Sequence, residues 1–302
     1  MSAQADSLKS IIYALGANMA IAAAKTVGAV YTGSSSMLAE AIHSFADCGN
    51  QALLLWGLKE ADHAPTPDHP LGFGKAIYFW SFIVALMLFS MGGLFSIYEG
   101  IHKLSSTEPL KNVWVAVSIL SFGIVAESIS LWGCLREINK VRHTQSLWSW
   151  FKTSRQSELV VILGEDLAAL GGLALALGFI GIAVATGNPV WDALGSITIG
   201  SLLIVMAVLI GTEVKALLIG QSAEPETLAK MKKHLSEAPE IIELYNLLTQ
   251  QLGSEIMVAV KARMQPQGSE AKLIEAINRV EAGFKAAFPQ VRWIFFEPDI
   301  DD

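Results

Sequence analysis

Charged side chains are scarce in this chain. Asp, Glu, Lys and Arg make up 16% of its 302 residues, against 52% hydrophobic. The mean hydropathy of +0.46 is too high for an ordinary soluble domain. No long cluster of Lys and Arg occurs and the formal net charge is −7, so nucleic acid is not an expected partner. Cysteine is nearly absent: Cys48 and Cys134 lie in or beside apolar runs, form no CxxC pair and read as small apolar core residues. HExxH is missing and His43 has no nucleophile in a recognisable arrangement, so the chain is not expected to be an enzyme. There is no internal repeat and no low-complexity tract. Residues 1–7 are polar and include Asp6. The apolar run after them is too long for a signal-peptide core, so no cleavable leader is expected.

What fills the chain is long apolar sequence. Segments of spanning length run over Leu8–Val30, Met37–Leu58, Ala76–Tyr98, Val113–Leu135, Leu159–Val184 and Val190–Leu218, which predicts a bundle of six transmembrane helices. The connections 31–36 and 185–189 carry no charge, and 99–112 carries Lys103 and Lys111. The opposite side holds Lys9, Lys59, Lys75, Arg136, Lys140, Arg142, Lys152 and Arg155. This bias places both termini and the 59–75 and 136–157 loops in the cytoplasm. With no transit peptide before the first segment, a bacterial inner membrane is the expected location.

After Gly220 the composition turns to that of a soluble domain. Helical spacing over Glu226–Glu237, a strand over Ile241–Leu252, clean alternation over Ile256–Met264, an amphipathic helix over Glu270–Phe288 and a strand over Val291–Glu297 give the order α-β-β-α-β. The expected fold is a helical membrane domain, 1–220, followed by a small ferredoxin-like α+β domain, 221–302.

Ionisable groups inside apolar segments need a reason, because a charge at the bilayer centre costs roughly 2.5–3.5 kcal/mol. In the second segment His43 and Asp47 stand at i and i+4 on one helical face, and Glu40 and Asn50 extend the stripe. Glu165 and Asp166 interrupt the fifth. An imidazole and a carboxylate at that spacing can hold one divalent cation, with Asp166 adding an oxygen from a facing helix. A His–Asp pair that only ties helices together is the bland alternative, and a second acidic pair on another segment argues against it. Lys25 reads as an internal ion-pair or structural group near the site. Glu127, in the fourth segment, reads as a proton carrier or as the partner of Lys25. Gly171, Gly172 and Gly178 read as residues that permit close helix packing.

Several spaced motifs carry a family resemblance. Asn18, Ile21, Lys25 and Gly28 followed by the run Ser34 to Asp47, the HPxGxxK segment from His69 to Lys75, the run Asp166 to Gly172 and the α-β-β-α-β tail together resemble the cation diffusion facilitator family. The resemblance covers nearly the whole chain. It implies a homodimer in the lipid bilayer that exports a divalent metal in exchange for protons by alternating access. The cargo is zinc first, and no prosthetic group is implied. Export of Mn²⁺, Fe²⁺ or Co²⁺ by the same mechanism is one alternative, since oxygen-rich shells favour harder ions. A membrane-anchored metal sensor or assembly protein is the other.

In that resemblance His43 and Asp47 match the first ligand pair and Asp166 the last ligand. Ile162 stands where most members carry a histidine. Glu165 is the substitute at hand, yet it points about 100° away from Asp166 around a helix. The Glu-Asp pattern resembles a divergent, zinc-transporter-like branch. In the loop, Asp68 and His69 remain as an auxiliary metal site, with Phe73 where a second histidine is expected. In the tail, aromatics at 293, 295 and 296 stand where related chains carry metal-binding histidines, so apolar dimerisation is expected there.

Overall fold

The computed structural model describes residues 2–104, 112–142 and 145–301, with side chains except at 2–14, 16 and 17. Lys111 and the side chain of Lys9, both used for the charge bias, lie outside the described residues. Long apolar runs become helices because only internal hydrogen bonding satisfies the backbone where water is absent. Helix α1 covers Ser2–Thr32 and α2 Ser35–Ala61, parted at Gly33, whose φ of 68° is open to glycine. Helix α3, Ala76–Met87, continues through a π-helical stretch, Leu88–Leu94, into α4, Phe95–Lys103. Then come α5, Val113–Val141, the short α6, Leu147–Thr153, α7, Ser157–Thr186, and α8, Val190–Ile219.

Among the described residues four stretches are long and apolar enough to cross a membrane: Ala76–Lys103, Val113–Val141, Ser157–Thr186 and Val190–Ile219. The other two apolar segments of the sequence form α1 and α2, and in α2 the polar stripe from Glu40 to Gln51 lowers the hydropathy.

The chain divides into two compact units. The first comprises 1–57, 80–145 and 158–214. In it the π-helical stretch and α4 approach α8 closely. A Cβ on Gly200 would meet Gly93 O at 2.6 Å, and one on Gly100 would meet Ala193 O at 2.7 Å. Ser196 Oγ donates to Ser96 O at 2.8 Å. Small residues let the backbones meet where lipid offers no hydrophobic drive between helices. Near the start of α8 the buried Asp192 accepts from Ser34 Oγ at 2.7 Å, Ser35 N at 2.7 Å and Ser35 Oγ at 2.8 Å. A carboxylate from one helix thus satisfies the free amides at the start of another, α2.

The second unit comprises 58–79, 146–157 and 215–302. The division drawn from composition at 220/221 therefore omits two earlier segments that cluster with the tail. The tail has α9, Pro225–Ser236, β1, Ile241–Leu252, β2, Glu255–Met264, α10, Glu270–Ala287, and β3, Val291–Pro298. Pro225 opens α9, and Ser269 caps α10 by accepting from Lys272 N. The sheet order is β1-β2-β3, antiparallel then parallel. The poor alternation in the middle of β1 is a bulge: the register shifts between Leu244 and Asn246, and Tyr245 OH instead donates to Ile300 O at 2.7 Å. Met231, Leu235, Val258, Val260, Val280 and Phe284 form the core of this unit.

The two earlier segments are tied to the tail by polar contacts. Arg155 Nε donates to Ser222 O at 2.7 Å. Tyr78 OH accepts from Gly253 N at 2.9 Å, and the Gly74 backbone lies so close to Leu252 and Gly253 that no Cβ would fit at 74. In α6, Trp150 and Phe151 are buried and Trp148 is exposed, so this short helix is amphipathic.

Candidate metal site

The site is built in the first unit from α2, α5 and α7. On α2, His43 is fully buried, and its Nδ1 lies 3.5 Å from Asp47 Oδ1, too far for a hydrogen bond. Among the described residues neither ring nitrogen of His43 has a hydrogen-bond partner, and neither has Asp47 Oδ1. On α7, Asp166 is buried and accepts from Ser130 Oγ of α5 at 3.1 Å through Oδ1, while its Oδ2 has no partner. Buried polar atoms without partners are costly, on the order of 1–3 kcal/mol each. Four such atoms on His43, Asp47 and Asp166 point to a ligand that the protein itself does not supply.

A cavity of about 20 Å³ is lined by Asn18, Asp47, Gln51, Glu127, Ile162, Glu165, Asp166 and Ala169; His43, one turn before Asp47 on α2, is not part of that lining. That volume holds a single water or ion. Among the described residues no three His, Cys, Asp or Glu side chains already converge as a ligand set, so the groups line a space rather than close a shell.

Glu165 lines this cavity together with Asp166 in spite of the angle between them. The long glutamate side chain reaches round the helix, and Asn50 Nδ2 holds its Oε1 at 2.5 Å. Asn50 therefore acts on a carboxylate and leaves its own Oδ1 unpartnered. Lys25 and Glu40, both fully buried, form an ion pair at 3.3 Å, and Lys25 Nζ also donates to Ser44 Oγ at 2.7 Å. The partner weighed for Lys25 from the sequence is Glu127; Glu40 is the residue in contact with Lys25, and Glu127 lines the cavity.

Three features escaped the sequence reading. Gln51 is one more i+4 step along the stripe 43–47, so helical spacing could have found it. Asn18 was visible only as part of a motif. Asp192 had no signal in its own neighbourhood, since its partners stand at 34 and 35. Gly171, Gly172 and Gly178 of α7 also divide by role. A Cβ on Gly172 would strike Glu40 Oε1, one on Gly171 would meet Leu202, and Gly178 has open space around it. In the second unit Asp68 and His69 are exposed, and the His69 ring lies 4.4 Å from that of Phe73.

Several carboxylates line an ion-sized space within a bundle of apolar helices, with a buried imidazole one turn along α2. The sequence profile of the cation efflux transmembrane domain matches residues 11–219. The chain belongs to this family, the cation diffusion facilitators. Among its relatives, the Xenopus laevis protein named "Proton-coupled zinc antiporter SLC30A9, mitochondrial" is 37% identical over 232 residues, 76% of this chain and 41% of the relative. The human protein of the same name is 36% identical over 227 residues, 74% and 40% of the two chains. Metal tolerance protein C4 of Arabidopsis thaliana is 30% identical over 250 residues, 82% and 54%. The chain thus spans about two fifths of the length of the first two relatives.

The expected bacterial inner membrane is corrected by these findings, because relatives at this identity are named as mitochondrial proteins. The physical reason is plain. A bias of basic loops reports which face of a bilayer they lie on and carries no information about which bilayer it is. Placement in a membrane is what stands.

Proposed function

We propose that this chain carries a divalent metal ion, zinc first, across its membrane in exchange for protons. Asp47 Oδ1 and Asp166 Oδ2, unpartnered on residues that line an ion-sized cavity, carry this reading, with the unpartnered His43 imidazole one turn along α2. The relatives' printed names, proton-coupled zinc antiporters, favour the same cargo and coupling. The spanning part comprises six helices, with α1 and α2 joining the four apolar ones, over 1–220. The tail, 221–302, pairs two copies into a homodimer.

In this mechanism His43, Asp47 and Asp166 hold the ion, with Glu165 or water completing the shell. Metal needs a neutral imidazole and ionised carboxylates, so protons and metal compete for the same atoms. Rocking of the helices exposes the site to one face and then the other. Protons arriving from one face displace the metal there. The oxygen-rich lining keeps Mn²⁺, Fe²⁺ and Co²⁺ as alternative cargoes.

Proteoliposomes containing the full chain and a pH-sensitive dye test this directly, with Zn²⁺ and Mn²⁺ supplied in turn. Metal uptake coupled to proton movement is expected from the unsubstituted protein, and its absence rules the transporter out. Asp47→Ala and Asp166→Ala should each abolish uptake, whereas His69→Ala should retain most of it. Uptake that survives Asp166→Ala would show the ligand assignment to be wrong.

A further inference from the structure

Five carboxylates stand at or beside the cavity, on Glu40, Asp47, Glu127, Glu165 and Asp166, and two of them are already engaged. Glu40 is held by Lys25 at 3.3 Å, and Glu165 accepts from Asn50 at 2.5 Å. Asp47 and Asp166 each keep an unpartnered oxygen, as Glu40 does at Oε1, but of these three only Asp47 and Asp166 line the cavity. Glu127 lines the same space from α5, and no hydrogen bond ties it to any described residue. It stands one helical turn from Ser130, which donates to Asp166, so both α5 residues lie on the face turned to the site. On α7 the lining residue one turn before Asp166 is the apolar Ile162.

We propose that Glu127 is a direct ligand of the transported cation, supplying from α5 the donor that Ile162 cannot supply from α7. The inference rests on the cargo site proposed above. With Asp47 and Asp166 it brings three carboxylates to the cavity lining, and the His43 imidazole, one turn along α2 outside that lining, is the nitrogen that would complete the four donors of a tetrahedral zinc shell as the helices close on the ion. Asp166 is itself 7% exposed with Oδ2 open, so the acidic lining is accompanied by a buried atom that lacks a partner. The cation then bridges α2, α5 and α7, and metal loading draws α5 into the moving set of helices. Oxygen donors in place of an imidazole also broaden the cargo toward Mn²⁺.

The test is calorimetric binding of Zn²⁺ and Mn²⁺ to the purified full chain in detergent at fixed pH. Glu127→Gln keeps shape and removes charge; it should weaken Zn²⁺ binding by about tenfold or more, the size of effect seen when metal sites lose a supporting group. Adding Ile162→His to Glu127→Gln should restore most of the Zn²⁺ affinity and less of the Mn²⁺ affinity. A residue that only carries protons or props the helix gives no such rescue. Glu127→Asp, which keeps the charge and shortens the reach, should also bind zinc more weakly and serves if the glutamine variant does not fold. Zinc affinity unchanged in both single variants, with Asp47→Ala and Asp166→Ala still losing it, overturns the role of Glu127 alone. Unchanged affinity in all four overturns the cargo site itself.

Discussion

At the scale of single residues, the site is a set of donors held apart and short of partners. His43 is fully buried with both ring nitrogens unpartnered, and Asp47 lies 3.5 Å away. Every group proposed to bind metal here must first lose its proton, so metal affinity is expected to fall steadily as pH is lowered. Binding isotherms across a pH series check this, and a flat profile would contradict shared ligands for metal and proton. The Lys25–Glu40 pair gives a second prediction. Lys25→Met leaves Glu40 buried with no counter-charge, which should cost about 3–5 kcal/mol, whereas the double variant Lys25→Met/Glu40→Leu should recover much of it. Thermal melting of the four proteins of that cycle measures the difference. The acidic and imidazole residues were legible in the sequence because lipid penalises them so heavily. Their partners were not: whether Lys25 meets Glu40 or Glu127 depends on helix rotation, which no spacing encodes.

At the scale of elements, the site helix α2 is fixed by something outside itself. Its first amides and Ser34 and Ser35 are bound by the carboxylate of Asp192 on α8. Removing a helix cap costs about 0.5–2 kcal/mol. Asp192→Ala should therefore lower the melting temperature and reduce metal uptake, with Asp192→Asn intermediate because its amide oxygen can still accept. Wild-type uptake and melting in Asp192→Ala would show that α2 holds its position without the clamp. Gly172→Ala should be more severe than Gly178→Ala, since only the first puts a methyl group against Glu40 Oε1; expression and melting of the pair decide it. Element boundaries in the tail could be read because period and capping residues agree, as at Pro225 and Ser269. The bulge in β1 showed only as poor alternation. The π-helical stretch Leu88–Leu94 left no such trace, because it comes from how that helix packs.

At the scale of the whole molecule, the outer face of the tail sheet carries the evidence on assembly. Leu248 pairs with Ala259 and Ala259 with Phe295, and Leu248 and Phe295 are 61% and 55% exposed. An apolar row left open on a sheet marks a contact surface, in keeping with the homodimer proposed. Leu248→Glu/Phe295→Glu in the full chain should shift its mass in detergent from dimer to monomer while the melting of the tail stays unchanged. A dimer that persists would remove this face from the interface.

Composition and periodicity by themselves determined that the chain is a helical membrane protein with a small α+β tail, and that ionisable residues interrupt its apolar segments. Both follow from local physics: apolar length sets a spanning helix, and a charge in lipid demands a purpose. Tertiary structure alone decided that Glu165 reaches the cavity of Asp166, that Glu127 faces the same space, and that Asp192 caps a helix more than 150 residues away in sequence. Those are outcomes of packing, set by the rotation and approach of helices whose sequences do not mention one another.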